Sequence, residues 1–212
     1  MTEKDIYGLC DHVKNLPYGQ LMALCQGFFP GMPQNALSQV DMVPTVEAWL
    51  RAIRTPQERL PHVAGLYSRL ASLDALKPWT LYCVDMAWTK TSRFAFLDHV
   101  AKSMNSDGCA YTCGYAETTS CLCCSILMSD DGIMTEEHRL VCFNLWSEHP
   151  FVAVYDAGAM VAHAKRLQAG LAAMGVDPER CLHGYYEKLS SAHAEVEKTV
   201  LARKQVADLL NR

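Results

Sequence analysis

The chain reads as an α+β protein, with a small helical bundle first, then a mostly antiparallel sheet with flanking helices, closed by a long C-terminal helix. Three observations predict this. Apolar residues recur at helical spacing up to about residue 73, short apolar runs of strand length begin at residue 79, and those strands come in runs rather than in strict alternation with helices. The implied organisation is a bundle over 1–73, a connection over 74–78, and an α+β part over 79–212.

The bundle comes first. Ile6, Leu9, Cys10 and Val13 form one apolar stripe behind a Thr2 cap, and Asn15-Leu16-Pro17 ends that helix. The chain restarts at Tyr18 with Leu21, Met22, Leu24, Cys25 and Phe28 inward, and stops at Gly27 and the Pro30-Gly31-Met32-Pro33 loop. A third helix is expected to start near Pro44, which suits a first turn, and to carry Val46, Trp49, Leu50 and Ile53. Thr55-Pro56-Gln57-Glu58 is a capping box for the next, with Leu60, Val63, Leu66, Tyr67 and Leu70 apolar and Pro61 as a point of division.

In the second part, 79–88 reads as a buried strand, and Ser92 caps a helix through Met104. Strands are expected over 109–115 and 121–128, and the turn Ser129-Asp130-Asp131-Gly132 follows them. Further strands over 140–146 and 151–155 flank Ser147-Glu148-His149-Pro150. A helix from Ala159 ends at Gly175, 182–186 is a last short strand, and Ser190 or Ser191 caps a helix reaching nearly to Arg212.

Composition narrows the function classes. With 212 residues, 50% of them hydrophobic and 20% charged, the chain has enough apolar material for one large core or two small ones. A formal charge of -4 gives no bulk attraction to phosphate backbones or anionic lipid, so neither nucleic acid nor membrane is an expected partner. Charged residues interrupt every apolar stretch before the roughly 18 residues of a spanning helix. Met1-Thr-Glu-Lys-Asp lacks the order of a signal peptide, so a cytoplasmic location is expected. The ten cysteines are then free thiols in a reducing compartment.

Within 1–73, an opening amphipathic helix, Leu16-Pro17 before the second, and Thr45-Val46-Glu47-Ala48-Trp49-Leu50-Arg51 before a last helix ending Tyr67-Ser68-Arg69-Leu70 follow one another. In this order of features the first third of the chain resembles the bacterial death-like and effector-associated helical domains. The resemblance implies an adaptor that recruits a protein partner by surface contacts, often in prokaryotic defence systems, with no catalysis of its own.

Half of the cysteines fall between Cys109 and Cys124. Zinc held by Cys109, Cys113, Cys121 and Cys123 is one reading, because pairing of the two strands could bring the four thiols to one face while Cys124 points away. The spacings x3, x7 and x1 depart from paired Cys-x2-Cys knuckles, so thiols packed in a sheet interior are the first reading and no cofactor is expected. Ala23-Leu24-Cys25-Gln26-Gly27 matches part of a caspase signature, but lacks the preceding Gln and a histidine about 50 residues upstream. His149, His163 and His183, with Asp156 and Cys142, supply the ingredients of a nucleophile and its base with no spacing that singles them out. His193-Ala194-Glu195 lacks the Pro-Cys-x-x-Cys partner of a zinc deaminase. The expected function is therefore a protein-interaction adaptor or regulatory binding module, the alternative being a cysteine-centred enzyme or zinc-dependent sensor in the second part.

Overall fold

A computed structural model describes residues 3–28, 38–84, 90–104, 110–129, 138–157 and 161–211, and shows the α+β class that the sequence predicts. The first four helices are α1 (Glu3–Lys14), α2 (Tyr18–Phe28), α3 (Gln39–Ala52) and α4 (Pro56–Ser72). The stripe expected on α1 is buried, and α2 buries Leu21, Leu24 and Cys25. The Thr2 cap and the loop at Pro30 lie outside the described residues.

Both prolines behave differently from expectation. The helix α3 begins from Ser38, so Pro44 sits inside it, and α4 runs through Pro61 without dividing. Each proline lies in the second turn of its helix, where it removes a single backbone donor while packing of the apolar stripe holds the rest. The capping box of α4 is present, with Glu58 N donating to Thr55 Oγ1 at 3.1 Å and Thr55 N to Glu58 Oε2 at 3.3 Å.

Strand β1 (Trp79–Cys83) leads to α5 (Lys90–Met104); Met86 and Trp88 of the expected longer strand lie outside the described residues. Four strands follow, β2 (Tyr111–Glu117), β3 (Cys121–Met128), β4 (Arg139–Trp146) and β5 (Phe151–Asp156). Then come α6 (Val161–Ala173), α7 (Pro178–Cys181), β6 (Leu182–Tyr186) and α8 (Leu189–Leu210). The short α7 has no counterpart in the sequence reading; Asp177 caps it by accepting from Glu179 N at 3.0 Å. Gly175 stops the chain after α6 with φ 68°, a left-handed conformation that glycine takes without strain.

The six strands form one sheet in the order β2-β3-β4-β5-β1-β6, every neighbouring pair antiparallel. Helices cover both faces, which is why β3, β4 and β5 read as nearly continuous buried runs and not as alternating ones. One face packs against α1 to α4 and the start of α8, and the other against α5 and α6. The core therefore does not stop at the 74–78 connection: Leu66 and Leu70 of the bundle belong to the same apolar cluster as Trp79, Cys123 and Phe151 of the sheet.

The contact between α4 and β2 is unusually close. An added Cβ on Gly114 would lie 2.2 Å from the Ala64 carbonyl carbon and 2.3 Å from Gly65 N, so only glycine lets the helix backbone rest on the strand. Ser68 Oγ donates to the Gly114 carbonyl at 2.8 Å across this contact.

Candidate functional site

The seating of α4 on the sheet leaves a gap where the end of α4, the start of β3, the end of β4 and the start of α8 converge. This cleft of about 150 Å³ is lined among others by Asp74, Cys121, Asn144, Trp146, Ser190 and His193. A second hollow of about 180 Å³ shares Ser120, Trp146 and His193 with it and adds Glu148 and His149.

Each wall has a local cause. Asp74 takes φ 64°, a left-handed conformation more accessible to Asp than to most residues, and its carboxylate accepts from both the backbone N–H (3.0 Å) and the hydroxyl of Ser190. Neither Ser190 nor Ser191 caps α8, because its N-cap is Lys188 and Asp74 supplies the acceptor for its first turn from another element. On the next turn His193 stacks on the Trp146 indole at 5.6 Å and 9°.

Cys121 enters the cleft from the base of the β2–β3 hairpin. Thr118 N donates to Cys121 O at 2.9 Å, Cys121 N to Thr118 Oγ1 at 3.1 Å, and that hydroxyl also lies 3.1 Å from Cys121 Sγ. A hydrogen bond from the Cys123 thiol, the Thr118 hydroxyl and the Arg93 cation together pull the Cys121 thiol down to about 6. Cys123 is pushed well up, first by its bond to Cys121 and then by burial, so the pair shares one proton and Cys121 carries the charge.

Asn144, with no exposed surface, sits directly across from Cys123 in the β3–β4 register. Cys123 Sγ lies 2.8 Å from Asn144 Oδ1, while Asn144 Nδ2 is buried with no hydrogen-bond partner among the described residues. Cys123 has a single S–H. It can serve the Asn144 carboxamide or the Cys121 sulfur, but not both at once.

The residues expected as zinc ligands are not brought together. Cys109 lies outside the described residues. Cys113 stands opposite Ile126, on the face of Cys124, whereas Cys121 and Cys123 lie on the other face. The expectation that these thiols share a face is thus corrected, and one ion cannot reach Cys113 and the Cys121–Cys123 pair at ~2.3 Å through the sheet. Cys113 is held low by a bond from Cys124, itself pushed well up by burial, which makes a second thiol pair on the opposite face. Among the described residues no three His, Cys, Asp or Glu side chains converge as metal ligands, and every described cysteine is a free thiol.

Nor do the histidines, Asp156 and Cys142 assemble. Cys142 is fully buried, 3.1 Å from Ser125 Oγ, and burial pushes its thiol up to about 12. His183 packs edge-on against Phe151 at 5.3 Å, at the opposite end of β5 from Asp156, and the His163 side chain lies outside the described residues. His149 lines the second hollow with Nδ1 buried and without a hydrogen-bond partner among the described residues. Cys25 is buried in the bundle, and burial raises its thiol. Sequence reasoning missed Asn144 and Asp74 altogether; the available signal was a lone carboxamide inside the apolar run Leu140-Val141-Cys142-Phe143-Asn144-Leu145-Trp146.

No described helix is long and apolar enough to cross a membrane. In comparison with known proteins, no family model matches the chain, and no curated protein matches it.

Proposed function

We propose that the chain is a protein-interaction module whose α8 pairs with α8 of a second copy, making a two-headed adaptor. One observation carries this reading. Leu189, Ala192 and Val196 anchor the start of α8 on the core, whereas every residue from Leu201 to Asn211 is exposed, including Val206 at 55%, Leu209 at 69% and Leu210 at 82%.

At 100° per residue, Ala202, Val206, Leu209 and Leu210 fall on one side of the helix with no charge among them. An antiparallel crossing centred on Val206 sets Leu210 of each copy over Ala202 of the other, large against small, in an isologous contact. Gross burial of about 12 kcal/mol against an association cost of at least about 4 kcal/mol limits such a dimer to micromolar affinity at best. The outward faces of α1 to α3 then remain free for a further partner, the role that the resemblance to death-like domains implies, and a cytoplasmic defence or signalling system is the setting it fits.

Light scattering on the intact chain, across concentrations bracketing the micromolar range, tests the reading. The expected result is a dimer that becomes a folded monomer in Leu210→Asp. A chain that stays monomeric throughout, or a dimer untouched by Leu210→Asp, overturns it.

A further inference from the structure

We propose that the cleft between α4 and α8 is a covalent site for short acyl groups delivered as thioesters, with Cys121 as nucleophile and Asn144 Nδ2 as donor to the carbonyl oxygen. The proposal goes beyond the α8 reading and does not depend on it.

Two independent observations meet here. The first is the nucleophile: Cys121 lies on the cleft wall, with Thr118 Oγ1 at 3.1 Å from its sulfur. Its low pKa of about 6 agrees with that placement. The second is the carboxamide of Asn144, wholly buried, lining the same cleft, with Nδ2 unpartnered among the described residues. A buried amide donor without an acceptor costs about 1–3 kcal/mol, which a ligand oxygen in the cleft would recover.

Their spacing suits one reaction. Cys121 pairs with Trp146 and Cys123 with Asn144, so Cys121 and Asn144 are diagonal neighbours on one face of an antiparallel pair, within side-chain reach across roughly 7–8 Å. A donor at that place meets an oxygen that gains negative charge when the adjacent carbon is attacked. A disulfide develops no such oxyanion. Ala71, Leu189 and Trp146 give the cleft an apolar patch opposite its polar residues Ser72, Asp74, Ser190 and His193, and 150 Å³ holds about five waters at ~30 Å³ each, room for a short acyl chain.

The step balances without a redox partner. The Cys121 thiolate attacks the thioester carbonyl carbon, a new C–S bond forms as the bond to the leaving sulfur breaks, and the released thiolate takes a proton from water.

The intact protein is incubated with S-ethyl thioacetate and acetylation is followed at each cysteine by peptide mass spectrometry. Cys121 is expected to acetylate first, ahead of the partly exposed Cys83, Cys113 and Cys181, and Cys121→Ser to remove that product. Asn144→Leu is expected to slow acetylation roughly a hundredfold, while methyl methanethiosulfonate, which transfers no acyl group, reacts with Cys121 as before. Acetylation of Cys121 no faster than of Cys83 or Cys181 in the unaltered protein overturns the proposal. So does a Asn144→Leu variant that slows both reagents equally. The ranking within the unaltered protein decides the matter if Asn144→Leu does not fold, and it stands whether or not α8 dimerises.

Discussion

On the face covered by α5 and α6 the sheet buries Leu122, Ile126, Val141, Phe143, Leu145 and Val152; on the face covered by α1 to α4 and α8 the same strands bury the large Leu127, Leu140, Trp146, Phe151 and Tyr155 and, among them, the small or polar Cys123, Ser125, Cys142, Asn144 and Ala153. On the first face apolar side chains fill the space between helices and strands. Small ones on the second face, with Gly114, let α4 settle until its backbone touches β2. Polar atoms are buried within this second face, and buried polar atoms must pair. Ser125 lies against Cys142, Cys123 against Asn144, and Ser68 against the Gly114 carbonyl. At the edge of this seat the pairing runs out at Asn144 Nδ2, where the cleft opens.

The largest test of the contrast uses neighbours on β4. Phe143→Ala, emptying the apolar face, is expected to cost about 4 kcal/mol in urea unfolding. Asn144→Leu, which removes the unpartnered amide, is expected to change stability by less than about 1 kcal/mol in the same measurement. Similar losses from both would break the idea that the two faces are held by different means.

Glycines give the next test. Gly114→Ala drives a Cβ into the Ala64 and Gly65 backbone, which cannot give way locally, and is expected to cost about 3 kcal/mol. Gly170→Ala on α6 meets Met104 Cγ at 2.7 Å and Sδ at 2.9 Å, atoms of a flexible side chain. Its cost, partly offset by better helix propensity, is expected to stay below about 1 kcal/mol. Equal melting shifts would mean that α4 is no more tightly seated than α6.

The sequence disclosed what depends on neighbours along the chain. The stripe Ile6, Leu9, Cys10 and Val13, the Thr55–Glu58 box, and the bounds of β3 and β6 are local and came through unchanged. The helix starts were less legible, because Pro44 resembles a first-turn residue and the cap of α8 comes from Asp74, over a hundred residues before Ser190. The thiol partners were hidden by parity. Glu117 pairs with Leu122, so odd positions of β2 face even positions of β3, and a turn one residue different would have sent Cys113 to the side of Cys121. The cleft needs residues near 74, 121, 144 and 193 at once, and no spacing rule connects them.

The smallest effect falls on the two thiol pairs, one on each face, and it should change stability little. Cys121 and Cys113 are both held low by a neighbouring thiol, and Cys121 stands in the cleft beside Asn144. A thiolate is the reactive form, so alkylation of Cys121 by iodoacetamide should rise as pH passes upward through about 6 and then level off. Fully buried Cys142, whose thiol burial pushes up to about 12, should stay unmodified throughout the range in which the chain is folded. Cys121→Ser changes a half-buried side chain at the rim of the core and should cost under about 1 kcal/mol in urea unfolding. Cys123→Ala, which removes the S–H that holds the charge, should carry the Cys121 midpoint back toward the ordinary thiol range of about 8.5. If the profile of Cys121 instead stays near 6 without Cys123, the charge is held by Thr118 and Arg93, and the two faces differ only in access to solvent.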